Sequence, residues 1–204
     1  MKTNFTILVV LSIILAIGCA ETAKKNTQAE QSASSSTKVT QEPQLYTAYN
    51  IWRMRSHNMK CINYKHGNNI LPAGTRVEKV KIKWDDSLKK DMISFTTVHD
   101  NRNYNIYFTR NWHPGKTDED YKNLMLTPKT FEELTEGMSE NEIKAIQNGI
   151  VVNGMSKRAV LVSYGYPPEH RTRSLHSNVW VYWENKFKSF TVCFDEDERT
   201  TFCK

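Results

Sequence analysis

Residues 20–44 contain no aromatic residue and no Leu, Ile or Met, only a polar mixture rich in Ser, Thr, Gln and Ala. Such a stretch cannot bury enough apolar area to offset the entropy lost on ordering. Whatever folds in this 204-residue chain must therefore be assembled from Leu45 onward. The polar stretch is expected to be a disordered tether. Its root-mean-square span is roughly 28 Å and its extended reach roughly 85 Å.

Ahead of the tether lies a different segment. Lys2 gives a positive start, and Phe5 to Gly18 form an apolar run interrupted by Thr6 and Ser12. As a helix this run rises roughly 21 Å, less than the roughly 30 Å of a bilayer's hydrocarbon core. It suits the apolar region of a secretory signal over residues 1–18 better than a spanning helix. Leu15-Ala16-Ile17-Gly18-Cys19 closes the run with a small residue directly before a cysteine. That ending resembles the bacterial lipoprotein signal, in which the thiol of the cysteine receives a diacylglycerol before cleavage. Ala16 stands where that pattern usually has Leu. The resemblance implies lipidation at Cys19, a membrane held through the lipid anchor, and a cell-envelope location. Ala20 is not the aspartate that favours inner-membrane retention in enteric bacteria, which points to the outer membrane facing the periplasm. The alternative is an ordinary signal peptide with a chance cysteine at its end.

Charge narrows the partners. Lys and Arg number 28 against 22 Asp and Glu, for a net charge of +6. Exported chains rarely meet nucleic acid, so no nucleic-acid partner is expected, and anionic lipid, wall polymer or an acidic protein fits the excess better. An ordinary basic surface is the bland alternative. Arg53 to Lys90 holds ten basic residues and three acidic ones, whereas Thr117 to Glu142 holds eight acidic residues against Lys122 and Lys129. The reversal suggests two modules, 45–115 and 116–204.

The first module reads as short strands. Leu45–Trp52 is rich in strand formers, Arg76–Trp84 alternates charged with apolar residues, and Met92–Val98 and Tyr104–Phe108 follow across the Asp100–Asn103 turn cluster. Five strands in so short a span predict a small barrel. The Pro72-Ala73-Gly74-Thr75-Arg76-Val77 corner into a basic strand resembles the entry of SH3-like barrels in exported bacterial proteins.

The second module is punctuated by helix signals. Thr127-Pro128 or Thr130 caps a short helix through Leu134, and Ser139 with Glu142 forms a capping box for a helix ending at Asn148-Gly149. Ser156 starts another over Lys157–Tyr164, stopped by Gly165 and Pro167-Pro168. Strands are expected at Val179–Glu184, Phe187–Phe194 and Thr200–Lys204. Gly154-Met155-Ser156, Val160-Leu161, Gly165-Tyr166-Pro167 and Trp180 with Tyr182 together resemble the SmpA/OmlA (BamE-like) lipoprotein domain over 139–204. Together the two resemblances imply an α+β fold, a small SH3-like β-barrel followed by a helix-helix-three-stranded antiparallel sheet. The second also implies an adaptor without an active site, acting on other envelope proteins. A peptidoglycan-binding module and a periplasmic enzyme inhibitor are the alternatives.

Candidate chemistry is sparse. The six histidines lack structural-zinc spacing, with His170 and His176 beside Glu169 as the least unfavourable metal set. Cys61 and His66 lie five apart, which on a strand turns them to opposite faces. Asp85-Asp86 is an adjacent carboxylate pair at a strand end. No catalytic residue, metal or cofactor is expected. Cys193 and Cys203 are the disulfide candidates, in a register that also sets Phe194 opposite Phe202. Trp180 and Tyr182, rimmed by Arg171 and Arg173, are either interdomain packing or a partner-binding patch.

Overall fold

The computed structural model describes residues 43–53, 58–66 and 69–203, so the expectations for the signal segment, Cys19 and most of the tether lie outside the described residues. The first strands are β1 (Leu45–Thr47), β2 (Ile51–Trp52), β3 (Asn58–Lys60) and β4 (Ile70–Leu71). The long strands β5 (Arg76–Asp85), β6 (Lys90–Thr97) and β7 (Asn103–Tyr107) follow. Then come α1 (Asp118–Met125), β8 (Leu126–Thr127), α2 (Phe131–Thr135), α3 (Glu140–Gln147) and α4 (Lys157–Tyr164). The described chain closes with β9 (Val179–Trp183), β10 (Ser189–Phe194) and β11 (Thr200–Thr201). The fold is mixed α+β: a curled half-barrel sheet and a separate three-stranded antiparallel sheet with helices.

The curled sheet has the order β3-β7-β6-β5-β1-β8, antiparallel except for the parallel β3–β7 pair. Alternation in β5 explains its place. Val77 turns inward, but the next apolar residue is Val80, three positions on, a phase slip in the sequence. The ladder absorbs it in a bulge between Glu78 and Lys81, with Lys79 in the left-handed region at φ 54°. Ile82 then faces Ile93, and Val80 and Ile82 both pack against the same core.

The charge reversal near residue 116 is not where packing divides. α1 is a helix that the sequence reading did not place, started by a capping box between Thr117 and Asp120. Its Tyr121 and Met125 enter the half-barrel's core, and β8 pairs with β1. Acidic residues of α1 occupy its exposed first turn, so they record a helix start and not a module boundary.

The second core lies between α3, α4 and the β11-β10-β9 sheet. Both helices begin at the predicted caps, Ser139 and Ser156, and Thr130 caps α2. Glu142 does more than its capping box requires. One oxygen accepts from the Ser139 amide at 2.9 Å; the other accepts from the Ser156 amide at 2.9 Å and from Arg199 at 3.2 Å. One carboxylate thus joins two helix starts to the β10–β11 turn.

The two cores meet along Tyr49–Trp52. Asn50 is buried, donating to the Ile146 carbonyl at 2.7 Å and accepting from the Ala73 amide at 2.9 Å. The approach is close enough to demand glycine. Gly149 (φ 63°) ends α3 beside Ile70 and Trp52, and Gly165 (φ 77°) ends α4 where a Cβ would stand 2.6 Å from the Tyr49 ring.

The structure joins Cys193 to Cys203, with Cα atoms 5.3 Å apart. The register differs from the expected one by two residues, for Cys193 faces Thr201 and Phe194 faces Thr200. A shift of two preserves sheet faces, so the cysteines still share one side. Phe202 does not meet Phe194; it is 84% exposed, and Thr200 takes the inner place by donating to Val152 O at 2.6 Å.

Candidate functional site

Two loops meet on the surface. The first, Thr109–Lys116, is tightened by amide bonds from Trp112 to Thr109 O and from Lys116 to His113 O. The second begins at Pro167-Pro168, where proline ends the helical path and the Arg171 and Thr172 amides turn back to Pro168 O. Thr172 is buried and accepts from the Val181 amide at 2.9 Å, which pins this loop to the edge of β9. The His170 amide donates to Trp112 O at 3.3 Å and joins the two loops.

At their junction the aromatic rings form a cluster. His170 stacks on Trp183 (centroids 6.0 Å, planes 20° apart) and meets Trp112 edge-on at 4.9 Å. The Arg171 guanidinium lies 6.0 Å from the Trp183 centroid, a cation–π distance. Beside it, Pro114, Gly115, Lys116, Glu169, His170 and Arg173 line an open cleft of about 680 Å³. Arg171 and Arg173 are exposed and make no ion pair among the described residues.

Beneath the cleft, His113 is fully buried. Its Nδ1 is 2.9 Å from Glu169, whose other oxygen meets Lys116 at 3.1 Å. Burial pushes the imidazole pKa down, and the neighbouring Glu169 only partly restores it. Its Nε2 faces the Cys61 carbonyl at 3.4 Å, which also accepts from Tyr121 at 2.7 Å; Tyr49 continues the chain to Tyr121 at 3.0 Å. Glu169 is thus already engaged, leaving a cleft whose free charge is positive.

Of the four residues assigned to a partner patch, the structure separates two from the other two. Trp180 and Tyr182 are core residues: Trp180 packs on Phe194 at 4.7 Å, and Tyr182 donates to Gly165 O at 2.9 Å. They point to the helices because strand alternation gives α3 and α4 that face. The opposite face carries Trp183 to Arg171, so the accessible aromatic is Trp183, one residue along. Loop 109–116 contributes Trp112 and Lys116, which sequence reading missed; their only local signal was a Trp-His-Pro-Gly turn.

Other candidates fall apart in space. Cys61 is buried, its sulfur accepts from the Thr109 amide at 3.3 Å, and burial pushes its thiol up to about 12. His66 instead contacts Tyr64 O at 3.1 Å. His176 is exposed while His170 packs on Trp112, and the described residues hold no group of three metal-ligating side chains. Asp85 serves its own turn, and its carboxylate is held below the usual range first by the Ser87 hydroxyl and then by the Leu88 amide.

No protein-family model, curated protein or solved structure matches this chain. Its chemistry must be taken from its own side chains.

Lys65 extends its ammonium between the rings of Trp52 (4.6 Å), Tyr182 (5.3 Å) and Tyr164 (5.8 Å) and donates to Asn63 O. Burial holds its pKa well below the usual lysine range. Tyr182 and Tyr164 belong to the second core and Trp52 packs edge-on against Tyr164 at 5.5 Å, so Lys65 caps a single group of three rings. Its amide also donates to Trp183 O at 2.8 Å, beneath the aromatic cluster.

Proposed function

We propose that this chain is a bacterial envelope lipoprotein, held through Cys19 at the outer membrane and working as a non-enzymatic adaptor. In this reading the half-barrel is an SH3-like module and residues 139–204 form a BamE-like domain. The order of two capped helices followed by an antiparallel β9–β10–β11 meander supports the second assignment.

One observation carries the functional reading. The side chains suited to bond-making chemistry, Cys61 and His113, are enclosed and engaged in holding loops together. The side chains suited to recognition are turned outward: Arg171 over the half-buried Trp183, and Arg173 at the rim of the adjoining positive cleft. Arg with Trp over a part-buried platform is the composition of an interaction surface. The partner this cleft fits is an envelope protein presenting an acidic segment.

The test places a photo-crosslinking residue at Arg173 and, as a control, at Lys144 on the exposed side of α3. In whole cells the Arg173 position should give a defined crosslinked envelope protein that the Lys144 position does not. Equal patterns from both positions, or lipid adducts alone, would overturn the reading.

A further inference from the structure

The β5–β6 hairpin runs past the strands beside it. β1 meets β5 only at Arg76 and Val77, and β7 leaves β6 at Met92. From Trp84 to Lys90 the ribbon has no third strand among the described residues. About 26 Å separates Val77 from the turn at Asp85 at strand rise.

The tip has an unusual surface. Trp84, near the end of β5, is 55% exposed, and Leu88, within the turn, is 52% exposed. The polar groups between them are satisfied internally. Asp85 accepts from the Ser87 amide (2.9 Å), the Ser87 hydroxyl (2.6 Å), the Leu88 amide (3.0 Å) and, through its other oxygen, Tyr107 (3.1 Å). The Trp84 indole N–H donates to Asp86 at 3.0 Å. These bonds fix the turn that carries Trp84 and Leu88, with Asp86 left 88% exposed at its rim.

From Lys79 to Asp91 five lysines stand against three carboxylates, Asp85, Asp86 and Asp91. Asp86 pairs with Lys89 at 3.6 Å and Glu78 with Lys79 at 3.1 Å. Lys81, Lys83 and Lys90 make no ion pair among the described residues and are exposed. Strand alternation puts Lys81, Lys83 and Lys90 on one face of the ribbon and Trp84 on the other. Only an end-on approach brings both sets to one surface.

We propose that this tip is a membrane-contact element, with Trp84 and Leu88 entering the headgroup layer of an anionic lipid surface while Lys83, Lys89 and Lys90 meet its phosphates. Two apolar side chains are far too small a patch for a stable protein interface, which needs roughly 800 Å² from each partner. A Trp at the polar–apolar boundary flanked by lysines suits a bilayer surface. Lipid contact complements the proposed anchor and draws on that reading for its setting, yet the tip is measurable by itself.

The experiment follows Trp84 fluorescence in the full chain on phosphatidylcholine vesicles carrying brominated acyl chains, with and without phosphatidylglycerol. Trp52 and Trp180 are buried and Trp112 and Trp183 are partly covered, so quenching reports chiefly on Trp84. Quenching should need phosphatidylglycerol, disappear in Trp84→Phe and Leu88→Asp, and require about fivefold more anionic lipid for each of Lys83, Lys89 and Lys90 replaced by Gln. Quenching unchanged by Trp84→Phe, or equal on both vesicle types, would overturn the proposal. So would lysine-dependent binding to isolated sacculi with no lipid quenching, which assigns the tip to wall polymer. Failure of the anchor reads differently: wild-type chain would leave the vesicles in high salt while low-salt quenching persisted.

Discussion

Glu142→Gln tests whether one carboxylate holds the second core's two helix starts together. The carboxyl is 8% exposed. Burial by itself would raise its pKa, but hydrogen bonds from Ser156 and Ser139 outweigh this and hold it down to about 2, against an ordinary 4.5. At about 1.36 kcal/mol per pH unit, that difference amounts to roughly 3 kcal/mol of native-state stability at neutral pH. The sign follows from a depressed folded pKa: the contribution is complete above about 4.5 and is lost as pH falls toward about 2. Glutamine keeps the shape but turns one acceptor into a donor, facing either the Ser139 amide or the Ser156 amide. The expected cost is roughly 3 kcal/mol, a fall in Tm of roughly 6–12 °C at pH 7 for a unit of this size. Calorimetry or circular dichroism from pH 7 down to pH 2 reads both effects. The variant should fall off less steeply in acid than the wild type. A Tm within 1 °C of wild type at pH 7, or identical acid limbs, would refute the account.

Two other perturbations probe close packing around α4. Lys65→Met keeps the stem and removes a buried ammonium whose pKa is depressed. The wild type should gain stability as pH rises toward 10.5, and Lys65→Met should lack that rise while being more stable at pH 7 by on the order of 1 kcal/mol. A less stable variant in urea would show that the three rings outweigh desolvation. Gly165→Ala should cost about 2 kcal/mol or more, from φ 77° and a Cβ only 2.6 Å from the Tyr49 ring. A urea midpoint unchanged from wild type would count against close packing there.

Local signals carried well through this chain. Ser139, Ser156, Thr130, Asn148-Gly149 and Gly165 act on amides and carbonyls within a turn of themselves, so the helices they bound stand where expected. The alternation in β5 was equally legible, and even its phase slip from Val77 to Val80 marks the bulge. α1 escaped because its capping box closes with Asp120 where Glu or Gln is the usual signal, inside an acidic run read as a boundary.

What the sequence determines by itself is therefore the start and end of most elements and which face of each strand is apolar. Tertiary structure decided what each face meets. Nothing near Trp180 or Tyr182 tells whether helices or solvent will cover them, and the helices did. The Asn50 amide finds Ile146 at a separation of 96 residues, and His113 finds Glu169 at 56. Lys65 stands in a basic run like any solvated lysine, yet its charge ends among three rings from β2, α4 and β9. Capping and alternation are settled over three or four residues, whereas burial depends on chain segments that only folding brings together.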